Sequence, residues 1–158
     1  MFTQNIVRSQ GIKKEQRNIG NWIAYIEQKS NKKICYAYSN PVKTRLYQGE
    51  REKPYININY LGNHEFTIMI YCGYKIASDY PVIITIDNKK NQLNAGYNNG
   101  YSITYDSTQD AYITDLLIRT LDNYFIVKSH EDKDNIAIDY YSLSGFKEVL
   151  KYLENNCS

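Results

Sequence analysis

The sequence is poor in the residues that most often carry chemistry, with two histidines, three cysteines and one tryptophan in 158 residues. His64-Glu65 is not the start of an HExxH pattern, because the second His is missing, and no G-x-S-x-G elbow presents a serine nucleophile. A Ser/His/Asp arrangement would need His64 or His130 beside a serine in space. Both lie next to turn signals and read as surface residues. No two cysteines stand at CxxC spacing, which removes the commonest zinc frameworks. No Gly-rich loop opens a helix, so the phosphate cradle of nucleotide-binding folds is missing. Asp132 and Asp134 alternate as calcium ligands do, but an EF-hand loop counted from Asp132 needs Gly and Glu where the chain has Ala137 and Leu143. That segment reads as a charged hairpin tip. Carboxylate pairs for glycoside hydrolysis have nothing to select them. The expectation is a protein that is not an enzyme, with no cofactor and no metal.

Long apolar runs are missing too. No stretch of about 18 apolar residues could cross a membrane as a helix. The start at Met1 lacks the roughly 7–15-residue apolar core of a signal peptide. A net charge of +2 is too small to argue for nucleic acid. Lys13, Lys14 and Arg17 form a weak basic tract within residues 1–20, which are polar and without period. They read as a flexible tail. The domain is expected to span residues 21–158, a length that fits one fold burying about two thirds of its unfolded surface.

Tyrosine is abundant, with 17 copies against 4 Phe. It suits strands and keeps a wettable tip, and in clusters it offers stacking surfaces for bases or sugars. Much of the text alternates with period two. In Lys33 to Tyr38, Ile34, Tyr36 and Tyr38 share one face and Cys35 and Ala37 the other. In Tyr55 to Tyr60, Ile56, Ile58 and Tyr60 oppose Asn57 and Asn59. Gly62-Asn63 then turns the chain into a strand with Phe66, Ile68, Ile70 and Cys72 on one face. Trp22 to Glu27, Val82 to Asp87, Tyr101 to Tyr105, Asp110 to Thr114, Tyr124 to Lys128 and Asn135 to Tyr141 continue the series. Asn99-Gly100, between Tyr97 and Tyr101, is a turn signal for positive φ. Arg45 to Pro54 is charged and reads as a loop.

Two segments leave this pattern. Asp115 to Asp122 suggests one or two helical turns. From Ser144 onward, Phe146, Val149, Leu150 and Leu153 recur at i, i+3, i+4 and i+7, the stripe of an amphipathic helix that Ser144 can cap. One helix against eight or nine strands predicts a mainly β protein, a β-sandwich with a short C-terminal helix.

Three stretches together resemble the invasion-associated locus B family of α-proteobacterial cell-envelope proteins. They are Asn21-Trp22 with Cys35 thirteen residues after the Trp, Tyr80-Pro81 before the apolar run ending in Ile86-Asp87, and Ser142-Leu143-Ser144-Gly145-Phe146. The likeness runs over residues 21–153, and its sharpest part is the last box. There a serine caps the helix, Gly145 allows a tight turn and Phe146 inserts into the core, so Ser142, Leu143, Gly145 and Phe146 carry structural duties. The resemblance implies an immunoglobulin-like sandwich, a periplasmic, outer-membrane-associated or secreted location, and a link to host-cell invasion, with no known catalysis. It would place a signal peptide ahead of this chain.

The cysteines depart from the family pattern. Members typically carry a Cys four residues after the Trp, where this chain has Ile26, and a later pair that has no counterpart around Ile103–Ile113. Three cysteines allow three pairings, each leaving one thiol. Set against the family, Cys35 lacks its usual partner, and a Cys35–Cys72 bridge is the expectation. The leading functional expectation is a non-enzymatic envelope protein that binds a protein, envelope or host-surface partner through exposed sheet or loops, since Tyr is enriched at interfaces. The alternative is a small-molecule or glycan module, which would need a groove lined by several tyrosines.

Overall fold

The computed structural model describes residues 12–94 and 99–157. Along these residues the order is β1 (Ile12–Ile19), β2 (Trp22–Lys29), β3 (Lys32–Ser39), β4 (Lys43–Arg45), β5 (Tyr55–Gly62), β6 (Glu65–Tyr71), β7 (Val82–Ile86), β8 (Lys89–Leu93), β9 (Tyr101–Ile103), α1 (Ser107–Arg119), β10 (Tyr124–His130), β11 (Ile136–Ser142) and α2 (Phe146–Cys157). The strands form two antiparallel sheets, one ordered β1-β2-β3-β5-β6-β9 and the other β4-β11-β10-β7-β8. The molecule is a β-sandwich with a short C-terminal helix, as the alternation predicts.

Period-two burial sets which side of each strand faces inward. Trp22, Ala24 and Ile26 of β2, Cys35 and Ala37 of β3, and Ile56 and Ile58 of β5 are buried. With Ile84, Phe125 and Val127 from the other sheet they form one apolar cluster. Helix α2 adds Phe146, Val149, Leu150 and Leu153 to it. Two tight turns use paired left-handed residues: Asn63-His64 (φ 52° and 63°) between β5 and β6, and Asp87-Asn88 (φ 51° and 64°) between β7 and β8. Such turns match the twist of the strands they join. Asn99 and Gly100 also have positive φ, 52° and 102°. Gly100 leads into β9, which pairs with β6, while Tyr97 lies outside the described residues.

Three expectations need correcting. Residues 12–19 belong to the sheet and not to a tail, since β1 pairs with β2 from Ile12↔Lys29 to Ile19↔Trp22. Its described side chains are almost all exposed, so backbone pairing makes the strand and leaves no apolar alternation to read. Residues 1–11 lie outside the description. Asp110 to Thr114 is helical, because α1 starts at Ser107. The Asp106 carboxylate accepts the Gln109 N–H at 2.8 Å and caps the helix, and Ile113, Leu116 and Leu117 are buried. Two strand-like tyrosine and isoleucine positions thus sit in a helix that its cap and its buried side impose. The single helical turn or two expected near Asp115 is the end of a 13-residue helix.

The box from Ser142 to Phe146 meets the start of the domain. Trp22 Nε1 donates to Ser142 O at 3.0 Å, Asn21 N–H donates to Ser144 O at 2.9 Å, and the Trp22 and Phe146 rings meet edge to face with centroids 5.1 Å apart. The Ser142 hydroxyl accepts the Ser144 N–H at 3.0 Å. Gly145 has φ 87°, and a Cβ there would stand 2.2 Å from Ile19 O. Only glycine permits so close a crossing of two backbones. The stretches at 21–22 and 142–146 are therefore two sides of one contact.

Candidate binding face

The outward side of the six-stranded sheet is built by the same alternation that builds its core. Tyr25 of β2, Tyr36 and Tyr38 of β3, Tyr55 of β5, Tyr71 of β6 and Tyr101 of β9 all point away from the buried positions beside them. Strand register places Tyr25 opposite Tyr36, Tyr55 opposite Tyr71 and Tyr71 opposite Tyr101. The rings touch in series. Centroids are 5.8 Å apart for Tyr25–Tyr38, 6.1 Å for Tyr38–Tyr55, 5.3 Å for Tyr55–Tyr71 and 4.7 Å for Tyr71–Tyr101. Tyr36 stacks on Tyr25 at 5.3 Å. Cross-strand aromatic pairs of this kind add about 0.2–1 kcal/mol each. The result is a half-buried aromatic band crossing five strands.

Carboxylates flank the band. The Tyr36 hydroxyl donates to Glu27 Oε2 at 2.6 Å, and the Tyr71 hydroxyl donates to Glu52. Burial, then the Glu27 carboxylate, pushes the Tyr36 phenol up. Burial and the Tyr101 hydroxyl push Tyr55 up to about 12, and the hydrogen bond to Glu52 does the same for Tyr71. These phenols stay neutral and can donate hydrogen bonds across the physiological range. The band offers flat apolar rings with polar tips, the composition that interfaces favour.

A second tyrosine group lies inside. Arg51, from the loop after β4, makes a two-pronged ion pair with Asp139 of β11, Nη2 to Oδ1 at 2.6 Å and Nη1 to Oδ2 at 3.1 Å. The side chains are 8% and 2% exposed. Thr44 donates to Asp139 at 2.6 Å, Cys72 O accepts from Arg51 at 3.0 Å, and the guanidinium lies 4.9 Å from the Tyr47 ring and 5.7 Å from that of Tyr74. Burial alone would weaken the charge on Arg51, but the Asp139 carboxylate outweighs it and holds the guanidinium protonated. Tyr74 bonds to Ser129. Burial drives the Tyr74 and Tyr141 phenols upward and the Cys72 thiol to about 12. A thiol so placed is no nucleophile. Sequence reading missed this centre because Arg51 sits in a charged loop that looks solvated.

The expected Cys35–Cys72 bridge is corrected: Cys35 is bonded to Cys157, and Cys72 is a free buried thiol. Register supplies the reason. Cys35 stands opposite Tyr60 and Tyr60 opposite Phe66. Cys72 lies six residues further along that line of chain, about 20 Å at the rise of a strand. The end of α2 instead brings Cys157 to a Cα–Cα distance of 6.5 Å from Cys35.

The remaining sequence candidates do not converge. His64 is at the β5–β6 turn, against Glu154 of α2. His130 ends β10, and its ring stacks on Tyr80 at 4.3 Å. Asp132 accepts the N–H groups of Asp134 and Asn135, both at 2.8 Å, in the β10–β11 turn. Among the described residues no group of His, Cys, Asp and Glu is placed to hold a metal ion, and no helix is long and apolar enough to cross a membrane. A groove of about 890 Å³ runs between α1, α2 and the β5–β6 turn, over Phe66, Thr114, Ile118 and Leu150. Another of about 580 Å³ lies beside the Ser142–Phe146 box and includes Tyr124. Neither is lined by several tyrosines.

Fold and face together define a two-sheet β-sandwich that carries a flat tyrosine surface and keeps its polar centre internal. No family model matches the sequence, and no curated protein matches it. A solved structure does: the crystal structure of invasion associated protein B from Bartonella henselae aligns with a TM-score of 0.62 at 13% identity, over 88% of this chain and 95% of that one. The two proteins share a fold.

Proposed function

We propose that this chain is a non-enzymatic protein of the bacterial cell envelope or surface, akin in role to the invasion-associated protein whose fold it shares, and that it acts by binding a partner. The tyrosine band across β2, β3, β5, β6 and β9 carries this reading. It is a flat, half-exposed aromatic surface whose rings already stack on one another. That favours a broad macromolecular contact over insertion of a sugar or small ring. The Cys35–Cys157 disulfide supports an oxidising compartment such as the periplasm or cell exterior. The scattered histidines and the unreactive Cys72 support a role without catalysis.

The test is binding of labelled protein to host-cell surfaces and to isolated envelopes, with Tyr38→Ser/Tyr55→Ser compared with the parent chain. Loss of binding in the variant, with folding intact, is the expected result. Equal binding by both, or none by the parent, removes the proposal. Intact mass of the protein from its native cell, two mass units below the fully reduced value, would support the compartment.

A further inference from the structure

We infer that β1 is a docking edge for a second copy of this chain, the two copies pairing antiparallel through β1 so that their six-stranded sheets become one. Among the described residues, each sheet has two edges. β9, β4 and β8 are short, at three, three and five residues, while β1 has eight. Long edge strands expose a row of unpaired N–H and C=O groups that template association, and proteins blunt them by shortness, charge, bulges or a covering segment. β1 is paired along its whole length with β2 on one side and with no described strand on the other.

Lysine and arginine usually protect such an edge. Here two of them are turned back onto their own sheet, one on each face. Lys14 Nζ lies 4.4 Å from the Tyr25 ring and 3.9 Å from Glu27 Oε2. The Arg17 guanidinium lies 5.3 Å from the Tyr152 ring of α2. Lys13 is the basic residue of β1 left exposed beside the free backbone, and Arg17 exchanges its ring contact for Glu15 of the second copy.

The order of charges then selects a register. Pairing centred on Gln16 sets Glu15 opposite Arg17 twice, by symmetry, and leaves Lys14 opposite Asn18 and Lys13 opposite Ile19. Centring on Glu15 or on Arg17 sets a like pair at the axis. Centring on Lys14 likewise sets a like pair at the axis, and centring between two residues is closed to a two-fold pair, because it would set residues from opposite faces against each other. Opposite charges directly across a ladder stabilise it and like charges destabilise it. The contact is isologous and closes on itself. Residues directly opposite in a ladder point to the same side, so both tyrosine bands fall on one face of a twelve-stranded sheet. This pairing does not depend on what the band binds.

Sedimentation equilibrium of the full chain tests it. The expected mass is twice the 18.5 kDa of one chain. Glu15→Arg alone and Arg17→Glu alone each weaken the dimer by about tenfold or more, and the two together restore it, because each opposes like charges at both symmetric positions. Amide exchange on the parent chain supplies a second readout, with protection in β1 rising as concentration rises. A monomer at all concentrations, a dimer indifferent to both charge reversals, or a double variant no better than the singles overturns the inference.

Discussion

The outer face of the six-stranded sheet and the junction around Arg51 both draw on tyrosine, and they use different parts of the residue. Outside, rings stack across strands and the hydroxyls reach one another or the carboxylates of Glu27 and Glu52. Inside, Tyr74 and Tyr141 are sealed with Cys72, Ser129, Asp139 and Arg51, and their burial counts for more than their surfaces. The outer set can be altered with little harm to the fold because water replaces what is lost. The inner set is costlier to alter, because a partner left alone there stays desolvated, as the Tyr141 hydroxyl already is. A residue count of tyrosine therefore mixes two populations, and only the outer one is a candidate for recognition.

The largest break in this contrast is expected from Asp139→Ala. It strands the Arg51 guanidinium in the interior, and loss of one partner of a buried ion pair costs about 3–5 kcal/mol. Urea unfolding reads this directly, and a loss near that of an exposed ion pair, under about 1 kcal/mol, would show the junction to be wet.

High pH is the next divider. Tyr55 and Tyr71 have folded values near 12 against an ordinary 10.0. Folded values above unfolded ones mean that their stabilising effect is whole below pH 10 and fades as pH climbs from 10 towards 12. Tyrosinate absorbance should rise from Tyr55 and Tyr71 before it rises from Tyr74 and Tyr141. Tyr74 and Tyr141 should contribute only when the chain unfolds, together with first reaction of the Cys72 thiol with maleimide. Early ionisation of the full set would erase the distinction.

Smaller effects sharpen it. Tyr74→Phe removes the hydroxyl that pairs with Ser129 and should cost about 1 kcal/mol in thermal or urea unfolding. Tyr38→Ser removes ring contacts with Tyr25 and Tyr55 and the hydroxyl contact with Tyr25, and should cost about 0.5 kcal/mol. The two variants should reverse order in a binding assay, where Tyr38→Ser is the damaging one.

Alternation in residues 33–38 and 55–60 separated the two faces of those strands but not, for 33–38, which of them lies inward. Residues 22–27 read only as a strand, and the stripe Phe146, Val149, Leu150, Leu153 assigned the terminal helix. The tyrosine band was readable one strand at a time but not as a band, since neighbouring strands in the sheet are set by register. Asp106 as a cap three residues before Gln109 was a local signal for α1 that the Tyr and Ile of 110–114 obscured. β1 had no such signal, because an exposed edge strand buries no side chain to mark its period.

By itself, the order of residues determined the secondary structure of most segments and which residues share a face, because both follow from neighbours two to four positions away. Which face of a strand such as 33–38 meets the core was settled by packing. Tertiary structure alone decided that Cys35 meets Cys157, that Arg51 meets Asp139 and that Trp22 rests on Phe146. Those partners are separated by 122, 88 and 124 positions. Their meeting depends on how the sheets are ordered and registered, and local periodicity carries no term for that.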